Sequence, residues 1–109
     1  MIDPVGSGNT NPMEMYKNEC QRGADLFKES LYQYAKTKDP DQKIEYEKVI
    51  DKALVVMNET CTALRKKEIM EQEKKLETDF KEYKSNLTPE RVKELQQEAD
   101  QIKTDIGRS

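Results

Sequence analysis

Along the chain, apolar side chains fall into stripes separated by charged and amide residues. Met13, Tyr16, Cys20, Gly23 or Ala24, Phe27, Leu31 and Tyr34 recur at steps of three and four, the spacing that places side chains on one helical face. Tyr46, Ile50, Ala53, Met57, Cys61 and Leu64 form a second stripe, and Val92, Leu95, Ala99, Ile102 and Ile106 form a last one. Between these two lies "RKKEIMEQEKK", residues 65 to 75, a charged interruption from which Ile69, Leu76, Phe80, Tyr83 and Leu87 resume the pattern. The step from Leu64 to Ile69 rotates the apolar face by roughly 140° at about 100° per residue.

Local signals divide the stripes into elements. In "TKDPDQ", Pro40 disfavours helical geometry at Asp39, Asp39 can cap the following helix, Pro40 suits its first turn, and Gln42 takes the capping-box position. In "SNLTPER", Thr88 is an N-cap with Pro89 in the first turn and Glu90 near the positive end of the helix dipole, while Leu87 and Val92 occupy hydrophobic-staple positions. No Gly or Pro interrupts residues 65 to 75, and Glu71/Lys75 and Glu77/Lys81 are favourable i, i+4 pairs. The pattern therefore predicts an all-α chain of three antiparallel helices, at about 12–38, 40–85 and 89–106, with coiled-coil-like pairing.

Antiparallel helices around a tight turn should bring together residues whose numbers add to a constant. That constant is about 80 around "KDP", pairing Tyr16 with Leu64, Cys20 with Cys61, Ala24 with Met57, Phe27 with Ala53, Leu31 with Ile50 and Tyr34 with Tyr46. It is about 175 around "NLT", pairing Ile69 with Ile106, Leu76 with Ala99, Phe80 with Leu95 and Tyr83 with Val92. Val49, Val56, Ala63 and Met70 form a further stripe that one hairpin leaves uncovered. Either a long central helix carries a hairpin at each end, or the chain breaks near residues 65 to 75 and folds into a compact three-helix bundle. Self-association or partner binding through the uncovered stripe is expected, with Met15, Leu26 and Tyr32 as further partner-facing candidates off the main stripe of the first helix.

Composition narrows the classes. The 109 residues suit one domain, with 34% hydrophobic and 38% charged residues, four Gly and four Pro. A single helical domain is expected over residues 13–106. Residues 1–12 read as a flexible, partly vector-derived tail, and 107–109 as a tag scar, from "MIDPVGSG" and "GRS". The net charge is −3 with both signs interspersed, so no basic stripe points to nucleic acid, and no run of apolar residues suggests a membrane span.

Candidate chemistry is sparse. His is absent and no Gly-rich phosphate loop occurs, so no catalytic, cofactor-binding or metal-ligating residue is assigned and a non-enzymatic role is expected. Cys20 and Cys61 face one another in the register above. Two reduced thiols serving as small core residues are the expectation, with a disulfide as the alternative. The compartment follows the same choice: cytoplasmic if reduced, secreted if bridged. Asn58-Glu59-Thr60 and Asn86-Leu87-Thr88 match the glycosylation sequon, but the first falls within a helix and the second is accounted for by capping.

The expected function is a helical protein–protein interaction module, a scaffold, adaptor or secretion-chaperone-like segment that lays an apolar stripe against another helix of its own kind or of a second protein. Helical chaperones and needle-type subunits of secretion systems share this general shape, which is a likeness of architecture alone. The alternative is a structural spacer within a larger filament, secretion-apparatus, membrane-associated or surface protein. Oligomerisation is expected of the first role.

Overall fold

The computed structural model describes residues 12–108, which form four α-helices and no strand. Helix α1 spans Pro12–Lys36, α2 Pro40–Ala63, α3 Lys67–Tyr83 and α4 Pro89–Arg108. The flexible tail expected over 1–12 lies outside the described residues except for Pro12, which opens α1. At the other end, Gly107 and Arg108 continue α4.

The all-α reading holds, with one more helix than the sequence pattern suggested. The central segment is divided at Leu64–Lys66. Leu64 still has helical geometry, Arg65 takes the left-handed conformation at φ 57°, and Lys66 is extended. Two contributions make the break intelligible. Thr60 and Thr62 turn their hydroxyls back onto the carbonyls of Val56 and Asn58, a habit that competes with helix continuation. The five-residue step to Ile69 also leaves that side chain on the wrong side of a continuous helix, whereas reversing the chain returns it to the core.

The result is an up-down-up-down bundle in which α1 packs on α2 and α4, and α3 packs on α2 and α4. Each neighbouring pair is antiparallel. Cys20 lies opposite Cys61 between α1 and α2, as the register predicted. Between α2 and α3, Asn58 meets Glu73 and Glu47 meets Lys84, so eleven residues back along one helix match eleven forward along the other. Between α1 and α4, Lys28 pairs with Asp100 and Asp25 with Lys103, the charges exchanged three residues on. These last pairs are solvent-exposed and contribute at most about 1 kcal/mol each.

The core runs the length of the bundle and is built from the stripes. Cys20, Ala24, Phe27 and Leu31 of α1, Ile50, Ala53, Met57 and Cys61 of α2, Leu76 and Phe80 of α3, and Leu95, Ala99 and Ile102 of α4 are fully buried. Gly23 lets α1 approach α2 closely, since a Cβ there would lie 2.7 Å from Cγ of Met57. Cys20 and Cys61 form a disulfide with Cα atoms 5.1 Å apart. Reduced thiols were the expectation; close approach of α1 and α2, which Gly23 assists three residues away, brings the two Cα atoms within bridging distance.

Candidate functional site

The candidate partner residues are distributed over separate faces of the bundle rather than one stripe. Val49, Val56 and Ala63 stay aligned on α2 and are each half-buried, but the break at Arg65 moves Met70 to α3, where it is exposed. A continuous stripe through all four residues therefore does not exist, because it assumed one unbroken central helix. Met15 and Tyr32 are exposed on the side of α1 that faces α4. Leu26 lies on the other side, against α2.

Two of the candidates are brought together. Leu26 of α1 and Val56 of α2 line one groove of about 440 Å³ over the α1–α2 seam, with Gly23 at its floor. Glu19, Asp25 and Glu29 stand around it with Arg22, giving an acidic rim. Arg22 is engaged by Glu19 at 3.1 Å and Asp25 by Lys103 at 2.5 Å, which leaves Glu29 to give the rim its net negative charge.

A second groove, of about 680 Å³, lies between α2 and α3 beside the turn at Arg65. Asn58 on α2 and Lys67, Met70, Glu71, Glu73 and Lys74 on α3 line it together with Arg65. Glu73, like Ser30 and Leu54, is a buried residue that stripe reading missed. It is 1% exposed, in a position between Ile69 and Leu76 where the 3-4 spacing calls for an apolar side chain. The signal was available: the seven-residue gap between those two core residues has Glu73 at its inward-facing middle. Asn58 Nδ2 donates to its Oε1 at 3.5 Å, and Oε2 has no hydrogen-bond partner among the described residues. Burial pushes the carboxyl up to about 7, with the charge of Glu77 adding to the effect against smaller opposing contributions from Lys74, Asn58 and Lys81.

A third cluster joins α3 to α4. Asp79, Glu94 and Glu98 place carboxylate oxygens within 4.8 Å of one another. Lys75 donates to Asp79 at 2.7 Å and to Glu98 at 3.3 Å, and the Tyr83 hydroxyl donates to Glu94 at 3.0 Å. Burial and the neighbouring Asp79 raise Glu98 to about 7, while Asp79, despite its own burial, is held low by its hydrogen bonds to Glu98 and Lys75. Lys75, donating to a carboxylate on each helix, ties α3 to α4 at this point.

No helix among the described residues is long and apolar enough to cross a membrane. The chain matches no family model, and no curated protein and no solved structure matches it.

Proposed function

We propose that this protein is a non-enzymatic helical interaction module, working as a scaffold, adaptor or secretion-type chaperone, that receives an amphipathic helix of a partner protein in the α1–α2 groove. The supporting observation is the juxtaposition of Leu26 and Val56 across the α1–α2 seam, with acidic side chains at the rim. An apolar strip between carboxylates fits a helix with leucine-type anchors at i, i+3, i+4 and i+7, flanked by lysine or arginine. A second copy of this chain would bring the same acidic rim against itself, so a basic partner is favoured over self-association through this face. The disulfide between α1 and α2 holds the two walls of the groove in register and suits a protein that works in an oxidising compartment.

The test uses a fluorescent designed peptide of about 18 residues with a leucine face and lysine flanks, and its counterpart with glutamate flanks. Anisotropy titration should show saturable binding of the lysine peptide, at least tenfold tighter than the glutamate peptide, and its loss on Leu26→Glu with helicity unchanged by circular dichroism. Equal binding of the two peptides, or indifference to Leu26→Glu, would reject the groove as a docking site. A monomer that binds neither peptide is the outcome expected of a structural spacer.

A further inference from the structure

Among the described residues, three buried side-chain oxygens lack a hydrogen-bond partner, one each on Gln72, Glu73 and Glu98, and all three lie on α3 or on the face of α4 against it. A buried polar atom without a partner carries a penalty, so α3 is the helix whose closure is worst satisfied. Glu98 is compensated by Lys75, which donates to its other oxygen, and Gln72 is tied through its amide to Asp105 of α4. Glu73 has only the Asn58 amide, at 3.5 Å, and no cation.

The N-terminal half of the same helix is also its weakly held half. The N-cap, Lys66, supplies no side-chain acceptor, and Arg65 before it is in left-handed geometry. Ile69 is the first side chain this half buries, and Glu73 is the next inward position. Side-chain hydrogen bonds across the seam to α2 are Asn58 to Glu73 near this end and Lys84 to Glu47 at the other. Past Glu73 the helix is firmly placed: Lys75 reaches Glu98, Leu76 is buried, and Phe80 meets Phe27 and Tyr34. The disulfide joins α1 to α2, and two ion pairs seat α4 on α1, so the rest of the bundle keeps its shape if the first turns of α3 come away.

Whether that end stays closed depends on the charge of Glu73. Opposite it, α2 presents Asn58 and Thr62 to the groove, both uncharged. The charges that act on the carboxyl are all on α3: Glu77 opposes its ionisation, and Lys74 and Lys81 favour it more weakly. Arg65, Lys67 and Glu71 line the groove beside it, and α1 and α4 bring no charge to bear. The neutral acid therefore fits the closed helix, and burial holds the group at about 7, whereas unwinding returns the carboxylate to water. We propose that the first turns of α3, from Lys67 to Lys74, form a pH-gated flap: with Glu73 protonated they close on α2, and with Glu73 ionised they unwind from Lys66 onward, uncovering Ile69 while the other helices stay folded. The docking reading is not needed for this, since its groove lies on the opposite side of α2.

The experiment is backbone amide hydrogen exchange on the intact disulfide-bonded protein at pH 5 and pH 8, with each amide corrected for its intrinsic pH dependence and followed without and with low urea. Amides from Met70 to Lys74 report on the flap, and those from Cys20 to Leu31 report on the core. Flap protection should fall by at least about tenfold from pH 5 to pH 8. At pH 8 the flap amides should exchange at least about tenfold faster than the core amides and without response to low urea, as a local opening that exposes little surface does. Glu73→Gln should abolish the fall. Asn58→Lys, at an exposed position of α2, supplies the missing cation and should remove most of it with the carboxyl still present. Flap and core amides that merge at pH 8 in rate and in urea response would mean that pH acts through global unfolding alone and would overturn the proposal. Flap protection that is level with pH in the parent, or an undiminished fall in either variant, would overturn it as well. The parent profile and Asn58→Lys decide the matter even if Glu73→Gln folds poorly.

Discussion

Phe27 and Phe80 meet edge to face across the diagonal of the bundle, their ring centroids 5.8 Å apart and their planes at 82°. Helices α1 and α3 are not packed neighbours, so this contact joins the two halves of the molecule through its centre. Tyr34 approaches the same Phe80 ring at 6.4 Å, making Phe80 the shared partner of two α1 aromatics.

Phe80→Ala should therefore destabilise the protein by about 3–5 kcal/mol, and Phe27→Ala by a similar amount, because each ring is fully buried. Because the rings touch, the double variant should lose less than the two single losses added together. Urea unfolding of the two single variants and the double variant measures this. A loss near zero for either ring would contradict the packing described.

The Cys20–Cys61 bridge closes a loop with a sequence separation of 41. On the chain-entropy account its removal should cost about 4 kcal/mol. Thermal or urea unfolding with and without reductant gives the value, and Cys20→Ala/Cys61→Ala should match the reduced protein to within the effect of the lost sulfur packing. Unchanged stability on verified reduction would mean that helix packing alone holds α1 on α2.

Arg65 is the one described non-glycine residue with positive φ. Arg65→Gly should leave stability unchanged or raise it by up to about 1 kcal/mol, since glycine adopts this conformation without steric conflict but has more unfolded-state freedom to lose. Arg65→Val should lower it by more, because a β-branched side chain is poorly tolerated there. If valine were accepted as well as glycine, the turn would not depend on the left-handed geometry.

Glu73 makes stability depend on pH. Its carboxyl is raised in the folded state from 4.5 to about 7, so the folded protein binds the proton more tightly than the unfolded chain does. The contribution is fully present below about pH 4.5 and is lost as pH rises through about 7. Glu73→Gln should flatten that fall and make the protein more stable at pH 8 by about 2 kcal/mol. Glu98 is raised in the same direction, so part of the slope should survive in the variant. Denaturation midpoints at pH 5 and pH 8 for both proteins provide the comparison, and an undiminished slope in Glu73→Gln would remove Glu73 as its source.

Much of the fold was written in local pattern. The stripes of three and four, Asp39 with Pro40, and Thr88 with Pro89 located two of the three connections and most of the core, although Ser30, Leu54 and Glu73 are buried off the stripes and Met13 and Tyr16, on the first stripe, are exposed. Asp39 accepts from the Asp41 amide and Thr88 from the Arg91 amide, as capping residues should. The register around the first turn also placed Cys20 beside Cys61. These features depend on residues close in sequence or on the rigid geometry of one helical hairpin, and a linear pattern contains that information.

The third connection, the state of the cysteines and the role of Glu73 were decided by tertiary structure. No Gly or Pro marks Arg65, and the back-bonding of Thr60 and Thr62 is only a weak local signal; the helix ends there because reversing the chain lets Ile69, Leu76 and Phe80 join the core already formed by α1 and α2, a gain that outweighs the strain of one left-handed residue. Whether two facing thiols bridge depends on how closely two backbones approach, which Gly23 assists and which periodicity does not measure. Glu73 reads as one more surface carboxylate in a charged segment until α2 is laid against α3. Sequence alone determined which faces are apolar, and the packing of four helices determined which of those faces meet and which remain open to a partner.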